Sequence, residues 1–232
     1  MAAGKLVLVC KLKGGAGATT TCRELAAAAL ADGRSVAIVD LDSQGSLTKW
    51  WNRRTATVVP GRANPELLQV TASQIPAVAA KLRKQYDLII IDSPPSIHET
   101  IKAVAGAVDL ALIPARPTTD DLDAVGPIAR LLHGVVDLGF IQTQVPGKRS
   151  LDGAEALGLL AARAAVLGRT TFRSAYSRPP ATGSTGYEED HTAKEEIGEV
   201  YSRIRERLQM PEHSNHVSTQ SGDSVKTGTE SA

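Results

Sequence analysis

Residues 13–20 read Lys-Gly-Gly-Ala-Gly-Ala-Thr-Thr, between the apolar run "KLVLVC" (5–10) and the helical pattern "TTTCRELAAAALADG" (19–33). Gly14, Gly15 and Gly17 let a backbone wrap closely around phosphate oxygens. A helix N-terminus behind them offers unpaired N–H groups and a partial positive charge. In a strand–loop–helix context such a loop points to phosphate binding. Thr19 is placed to ligate Mg²⁺ and Thr20 to hydrogen-bond a phosphate oxygen. Carboxylates arrive from two further segments. "VAIVDLDSQGS" ends a strand with Asp40 and Asp42, and "LIIIDSPPS" ends another with Asp92. Asp42 and Asp92 are expected to converge on the loop, because ligands of doubly wound sheets lie beyond the carboxyl ends of strands. One carboxylate can then orient water and the other support Mg²⁺ through its hydration shell.

The elements that must position these residues are legible as alternating strands and helices. Strands are expected at 5–10, 35–40, 67–70, 87–92, 109–114, 138–145 and 169–172. Helices are expected at 19–33, 46–54, 73–86, 118–135, 151–168 and 191–210, with one more between the strands at 87–92 and 109–114. Ser73 is the expected cap of its helix, which carries Pro76 in the first turn. In the last helix Ile197, Val200, Tyr201, Ile204 and Leu208 share one face. Continuous apolar strands separated by helices predict an α/β fold, a single doubly wound domain with a mostly parallel central sheet. Residues 1–210 form that domain, and 211–232 read as a disordered polar tail.

The chain has 232 residues, 42% of them hydrophobic, and a net charge of +1, so global charge recruits neither nucleic acid nor membrane. Its two cysteines, Cys10 and Cys22, make no metal spacing and read as small buried hydrophobes of a reducing cytoplasm. No signal peptide or spanning segment is indicated.

Taken together, Lys13-Gly-Gly-Ala-Gly, "DLDSQGSLTKWW", "DLIIIDSPPS" and "LALIPARPTTDDLDAVG" resemble the ParA branch of the MinD/ParA deviant Walker A ATPases, a P-loop NTPase fold, over about residues 5–210. The resemblance implies ATP and ADP as ligands with Mg²⁺, held by loop residues Gly14, Gly15, Ala16, Gly17, Ala18, Thr19 and Thr20. Lys13 matches the lysine that reaches a partner's phosphates across a nucleotide-sandwich homodimer. Asp42 matches the residue that assists hydrolysis and Asp92 the Walker B aspartate, both near the metal with Thr19. Pro114 and Pro117 match a proline-bearing loop near the adenine and the dimer interface. The family role is segregation or positioning of a plasmid or other cargo by ATP-dependent dimerisation. Its partners would be non-specific DNA and a ParB-like or other cargo-bound protein, and its location the cytoplasm, on the nucleoid.

Two positions depart from that pattern. Ser43 stands where the family has proline, and Ala18 where the loop lysine belongs. Losing that charged hydrogen bond, worth about 1.5–3 kcal/mol, weakens nucleotide binding on the order of 10- to 100-fold. Two origins fit Ala18: a natural loop like that of some pilus-positioning relatives, or a substitution that holds the protein nucleotide-free. The alternative function is a degenerate, non-hydrolysing DNA-binding or adaptor scaffold.

DNA contacts, implied by the same resemblance, would come from Arg169, Arg173, Arg178 and Lys194, with Lys148 and Arg149 nearby in sequence; ordinary solvated surface charge is the competing reading. The stretch "SRPPATGSTG" (177–186) is expected to be mobile. At least one of Trp50 and Trp51 is expected in the core, and "DDLD" (120–123) as a capped helix start. Membrane targeting through a basic amphipathic end is not expected, because a polar tail follows the last helix.

Overall fold

The computed structural model describes residues 3–10, 14–95, 98–147, 150–177 and 182–212. Seven parallel strands form one sheet in the order β3-β2-β4-β1-β5-β6-β7. They are β1 (Lys5–Val9), β2 (Val36–Asp40), β3 (Glu66–Leu67), β4 (Leu88–Asp92), β5 (Leu110–Ala115), β6 (Asp137–Val145) and β7 (Ala165–Thr171). β4 and β5 are buried along their whole lengths, as the runs "LIIID" and "LALIPA" require of strands covered on both faces.

From β1 the chain moves through α1 (Ala18–Ala31), β2 and α2 (Ser46–Ala56) to the edge strand β3. It then returns through α3 (Ile75–Gln85) and β4. Next come α4 (His98–Ala105), β5, α5 (Thr119–Leu132), β6, α6 (Leu151–Ala161) and β7. Right-handed crossovers made in opposite directions put helices on opposite faces. One core therefore joins α1 and α2 to α9 (His191–Arg207), through residues such as Leu25, Trp50, Val200 and Ile204. The other holds α3, α4, α5 and α6 through Ile75, Ile101, Val125 and Leu160. Before α9 lie two short helices, α7 (Ser174–Ser177) and α8 (Gly186–Glu189).

The expected helix at 151–168 divides: α6 stops at Ala161 and β7 begins at Ala165. Alanine-rich sequence favours helix, but pairing of Ala165 and Val166 with Gly139 and Phe140 of β6 overrides it. The strand expected at 67–70 is Glu66–Leu67, so only Leu67 is shared. Thr71 rather than Ser73 caps the entry to α3, in a capping box with Gln74, and Pro76 does sit in the first turn. Trp50 is buried in the core, while Trp51 donates its indole N–H to the Pro65 carbonyl at 2.8 Å. The five apolar residues expected on one face of α9 are all buried. Both cysteines are buried, and burial pushes the Cys10 thiol up to about 12.

The end of the stretch expected to be mobile is instead docked. Gly183, Ser184, Thr185 and Gly186 are buried, while 178–181 lie outside the described residues. Of the polar tail, Pro211 and Glu212 are described: Arg34 donates to the Pro211 carbonyl, and Arg205 lies 3.5 Å from Glu212. No helix among the described residues is long and apolar enough to cross a membrane.

Candidate phosphate-binding site

Register brings the strand ends level. Val9 pairs with Asp92, and Asp40 pairs with Asp92 from the other side. The glycine-rich loop therefore leaves β1 directly beside the β4 carboxylate. Gly15 and Gly17 both sit at φ 91°, a left-handed conformation that glycine adopts without a Cβ penalty. Gly17 is the N-cap of α1 and has no side chain to bond the first-turn N–H groups, which stay available to a ligand in the loop. No acidic residue of α1 itself occupies that first turn, so nothing within the helix offsets the positive end of its dipole.

Thr19 donates its hydroxyl to Asp92 Oδ2 at 2.6 Å, and Asp92 is fully buried. This short bond ties the head of α1 to the tip of β4. Asp42, also buried, accepts the Gln44 N–H at 3.0 Å in a tight turn that aims the segment after β2 toward the loop. Asp40 points elsewhere: it accepts the backbone N–H and hydroxyl of Thr48 and fixes the start of α2.

A cavity of about 680 Å³ opens over these groups. Gly14, Gly15, Gly17, Ala18, Thr19, Thr20 and Asp42 all line it. That size suits a bound nucleotide, since ligand clefts run to roughly 300–1,000 Å³. The donors suit a magnesium triphosphate as well: hard oxygens of Thr19 and Asp42 on the cavity wall, with Asp92 buried directly behind Thr19, beside a cluster of backbone N–H groups. Lys13 lies outside the described residues. Pro114 is buried within β5, and neither it nor Pro117 lines the cavity, because the strand runs on to Ala115 before the chain turns.

Two residues absent from the sequence expectation hold the loop. Thr143 donates to the Ala16 carbonyl at 2.8 Å, and Gln144 donates to the Gly15 carbonyl at 2.7 Å. Both come from the tip of β6, where Gln144 takes φ 53° and the pairing with β7 shifts register. Arg116 also approaches, within 3.7 Å of where a Cβ on Gly15 would lie, but Asp121 holds it through Nε and Nη2, both at 2.9 Å. Thr118 caps α5 by accepting from Asp121, so "DDLD" is a capped helix start. Among the described residues no cluster of His, Cys, Asp and Glu has metal-binding geometry.

Of the basic residues grouped by sequence, Arg169, Arg173 and Lys194 are described, and they do not form one patch. Arg173 lines the cavity and lies 3.6 Å from Glu196. Arg169 turns toward Gly153 on the α6 side of the sheet. Lys194, on α9, stands over the Tyr187 ring at 5.8 Å on the other side. β7 loses its regular alternation at Gly168, which takes φ 153°, and Arg169 turns to the α6 face while Leu167 and Thr171 face α9. Arg178, Lys148 and Arg149 lie outside the described residues.

Residues 7–185 match the family described as the CobQ/CobB/MinD/ParA nucleotide binding domain. The chain is 36% identical over 124 residues to the maintenance of carboxysome distribution protein A of Gloeobacter kilaueensis, a match covering 51% of this chain and 52% of that protein. The chain thus spans about half the length of that curated relative. A Cyanothece McdA variant in complex with ATP superimposes with a TM-score of 0.69 at 19% identity, over 91% of this chain and 98% of that one. The septum site-determining protein MinD of Pyrococcus horikoshii, complexed with Mg-ADP, gives a TM-score of 0.69 at 16% identity, over 87% and 96%. At such identities the likeness is one of fold.

Proposed function

The chain belongs to the CobQ/CobB/MinD/ParA nucleotide-binding family, and from that premise we propose that it is a ParA-type ATPase that segregates or positions a plasmid or other large cargo. The observation that carries this reading is the Thr19–Asp92 bond at the head of the loop, with Asp42 facing the same cavity. Solved relatives bound to ATP and to Mg-ADP support a nucleotide there, as does the carboxysome-distributing relative for a positioning role. The loop backbone from Gly14 to Thr20 cradles the phosphates. Thr19 and Asp92 would hold Mg²⁺, whose chemistry is to neutralise charge developing on the phosphates. Asp42 orients the attacking water, and Lys13 completes the partner's site in a homodimer. ATP-dependent dimerisation turns non-specific DNA affinity on. Hydrolysis, stimulated by a cargo-bound partner of the ParB kind, turns it off. The cytoplasm, on the nucleoid, is the place where such a cycle works. Residues 1–210 carry this machinery as one domain.

Light scattering of the chain with and without Mg-ATP tests the switch. The mass is expected to double with nucleotide. A mass indifferent to ATP favours the second reading, a non-hydrolysing scaffold, whose specific support is Ala18.

DNA contact has its own test. Arg173 is the one residue of the sequence-grouped basic set that, among the described residues, lines the cavity, so Arg173→Ala is expected to lower retention of random-sequence duplex severalfold in a gel shift. Raising salt from about 50 to 200 mM is expected to weaken binding of the parent chain by at least tenfold, because phosphate contacts release counterions. Retention indifferent to salt would exclude that mechanism.

A further inference from the structure

The cavity walls carry a surplus of positive charge besides the loop. Lys49 and Arg53 line it from α2, Arg23 from α1 and Arg173 from the segment after β7, against the carboxylates of Asp42 and Glu24. Most of these groups are already committed. Arg23 is buried, donates to the Tyr176 carbonyl and lies 3.7 Å from Glu24. Glu24 accepts the N–H groups of Gly186 and Tyr187 at 2.9 and 2.7 Å. Arg173 lies beside Glu196.

The two α2 cations differ from these. They are four residues apart and so share one helix face, the face turned to the cavity. Lys49 is exposed and donates its ammonium to a neutral acceptor, the Gln44 carbonyl, at 2.8 Å. That carbonyl belongs to the turn that presents Asp42. Among the described residues Arg53 has no carboxylate within ion-pair distance. Its charge instead presses on Arg23, whose guanidinium is held below its ordinary value by burial first and by Arg53 in addition. Like charges gathered on one wall raise the potential inside a cleft and favour an anion there.

We propose that Lys49 supplies, from α2 of the same chain, the positive charge that Ala18 does not bring to the phosphates, with Arg53 one turn behind it strengthening the field. The inference rests on the nucleotide reading above and deepens it. Lysine suits the task, being a compact charge on a flexible four-carbon stem. Leaving the Gln44 carbonyl for a phosphate oxygen exchanges a bond to a neutral acceptor for one between opposite charges. Lys49 also acts in cis, so it serves the monomer before any partner's Lys13 arrives.

Calorimetric titration of Mg-ATP into the full chain tests the inference with five proteins: parent, Lys49→Gln, Lys49→Arg, Ala18→Lys, and Ala18→Lys combined with Lys49→Gln. Lys49→Gln is expected to weaken binding about tenfold or more relative to the parent. Lys49→Arg, which keeps the charge, is expected to stay within about threefold on the same scale. Once Ala18→Lys restores the loop cation, Lys49→Gln is expected to cost less than about threefold, since the two ammonium groups would serve one role. Equal affinity of the parent and Lys49→Gln overturns the inference while leaving the nucleotide reading intact. So does the same loss in both backgrounds, or binding by Ala18→Lys when the parent does not bind. Failure of both the parent and Ala18→Lys to bind brings down the nucleotide reading itself and the inference with it. Lys49 is exposed, so thermal unfolding of the variants should match the parent and separate lost charge from lost fold.

Discussion

Replacing Ala18 with lysine is expected to tighten Mg-ATP binding about 10- to 100-fold, measured by calorimetry on the full chain, because one charge-assisted hydrogen bond contributes about 1.5–3 kcal/mol. Ala18 is the first residue of α1 and only 3% exposed, yet it lines the cavity. A longer side chain there can extend into open space rather than into the apolar core that the methyl group touches. An ammonium at a helix N-terminus is unfavourable without an anion, by about 0.3–1 kcal/mol. The nucleotide-free variant is therefore expected to melt slightly below the parent, and to melt above it once nucleotide is present. Ligand at a hundredfold excess over Kd adds about 2.7 kcal/mol. Turnover should rise more than affinity, since negative charge grows in the transition state. A gain at the low end of the range is what Lys49 predicts, because part of the charge is already supplied. An unchanged affinity, with melting indifferent to nucleotide in both proteins, would mean that the cavity does not receive a triphosphate.

The loop and its two carboxylates were legible because each is a local signal: glycines between a strand and a helix, and an aspartate where an apolar run stops. Parallel register then does the rest, setting Asp92 beside Val9 and Asp40. What the sequence hides is whatever depends on a distant strand. Thr143 and Gln144 end an apolar strand and look like ordinary polar punctuation, yet they hold two loop carbonyls. The one local hint is three polar residues, Gln142 to Gln144, in a strand that should be buried on both faces. Their positions follow from the register shifts of β6 against β7, which no periodicity reveals. Arg169 and Lys194 are both basic, but Arg169 lies within β7 and the register shift beside it turns its side chain to the α6 face, away from Lys194 on α9. Arg54 misleads in a third way. A charged residue near the end of an amphipathic helix reads as solvated, and here it is among the most buried side chains in the molecule.

That burial makes Arg54→Ala the substitution with the largest expected cost in stability, about 3–5 kcal/mol by chemical denaturation. Arg54 is 1% exposed and donates to both carboxylate oxygens of Glu188, at 2.9 and 2.7 Å. It also donates to the carbonyls of Gly183 at 3.2 Å and Ala63 at 2.8 Å, and its guanidinium lies 5.4 Å from the centre of the Trp50 ring. One side chain therefore joins α2, the loop after it and the segment leading into α8. Gly183 has φ 71°, and a Cβ there would strike the Arg54 backbone, so the segment packs directly on α2. Alanine removes every one of these bonds, leaving the Glu188 carboxylate, among the described residues, with only its Thr185 donors and the two carbonyls without the guanidinium. The pH dependence gives a second readout with a definite sign. Burial alone would raise Glu188, but its bonds to Arg54 and Thr185 outweigh that and hold it below the ordinary value of 4.5. Its contribution is thus fully present above the unfolded-state value and lost as pH falls through the lower folded value. The parent is expected to lose stability across that acidic window, and Arg54→Ala to show a flatter profile there. Replacing Arg54 and Glu188 together with apolar residues of similar size should recover much of the loss, because no buried charge is then left alone. A cost below about 1 kcal/mol for Arg54→Ala, in the range of an exposed ion pair, would show that the clamp does not hold the segment to α2. The same segment carries the N–H groups that Glu24 accepts, so a loosened clamp should also disturb the cavity wall around Arg23 and Arg53.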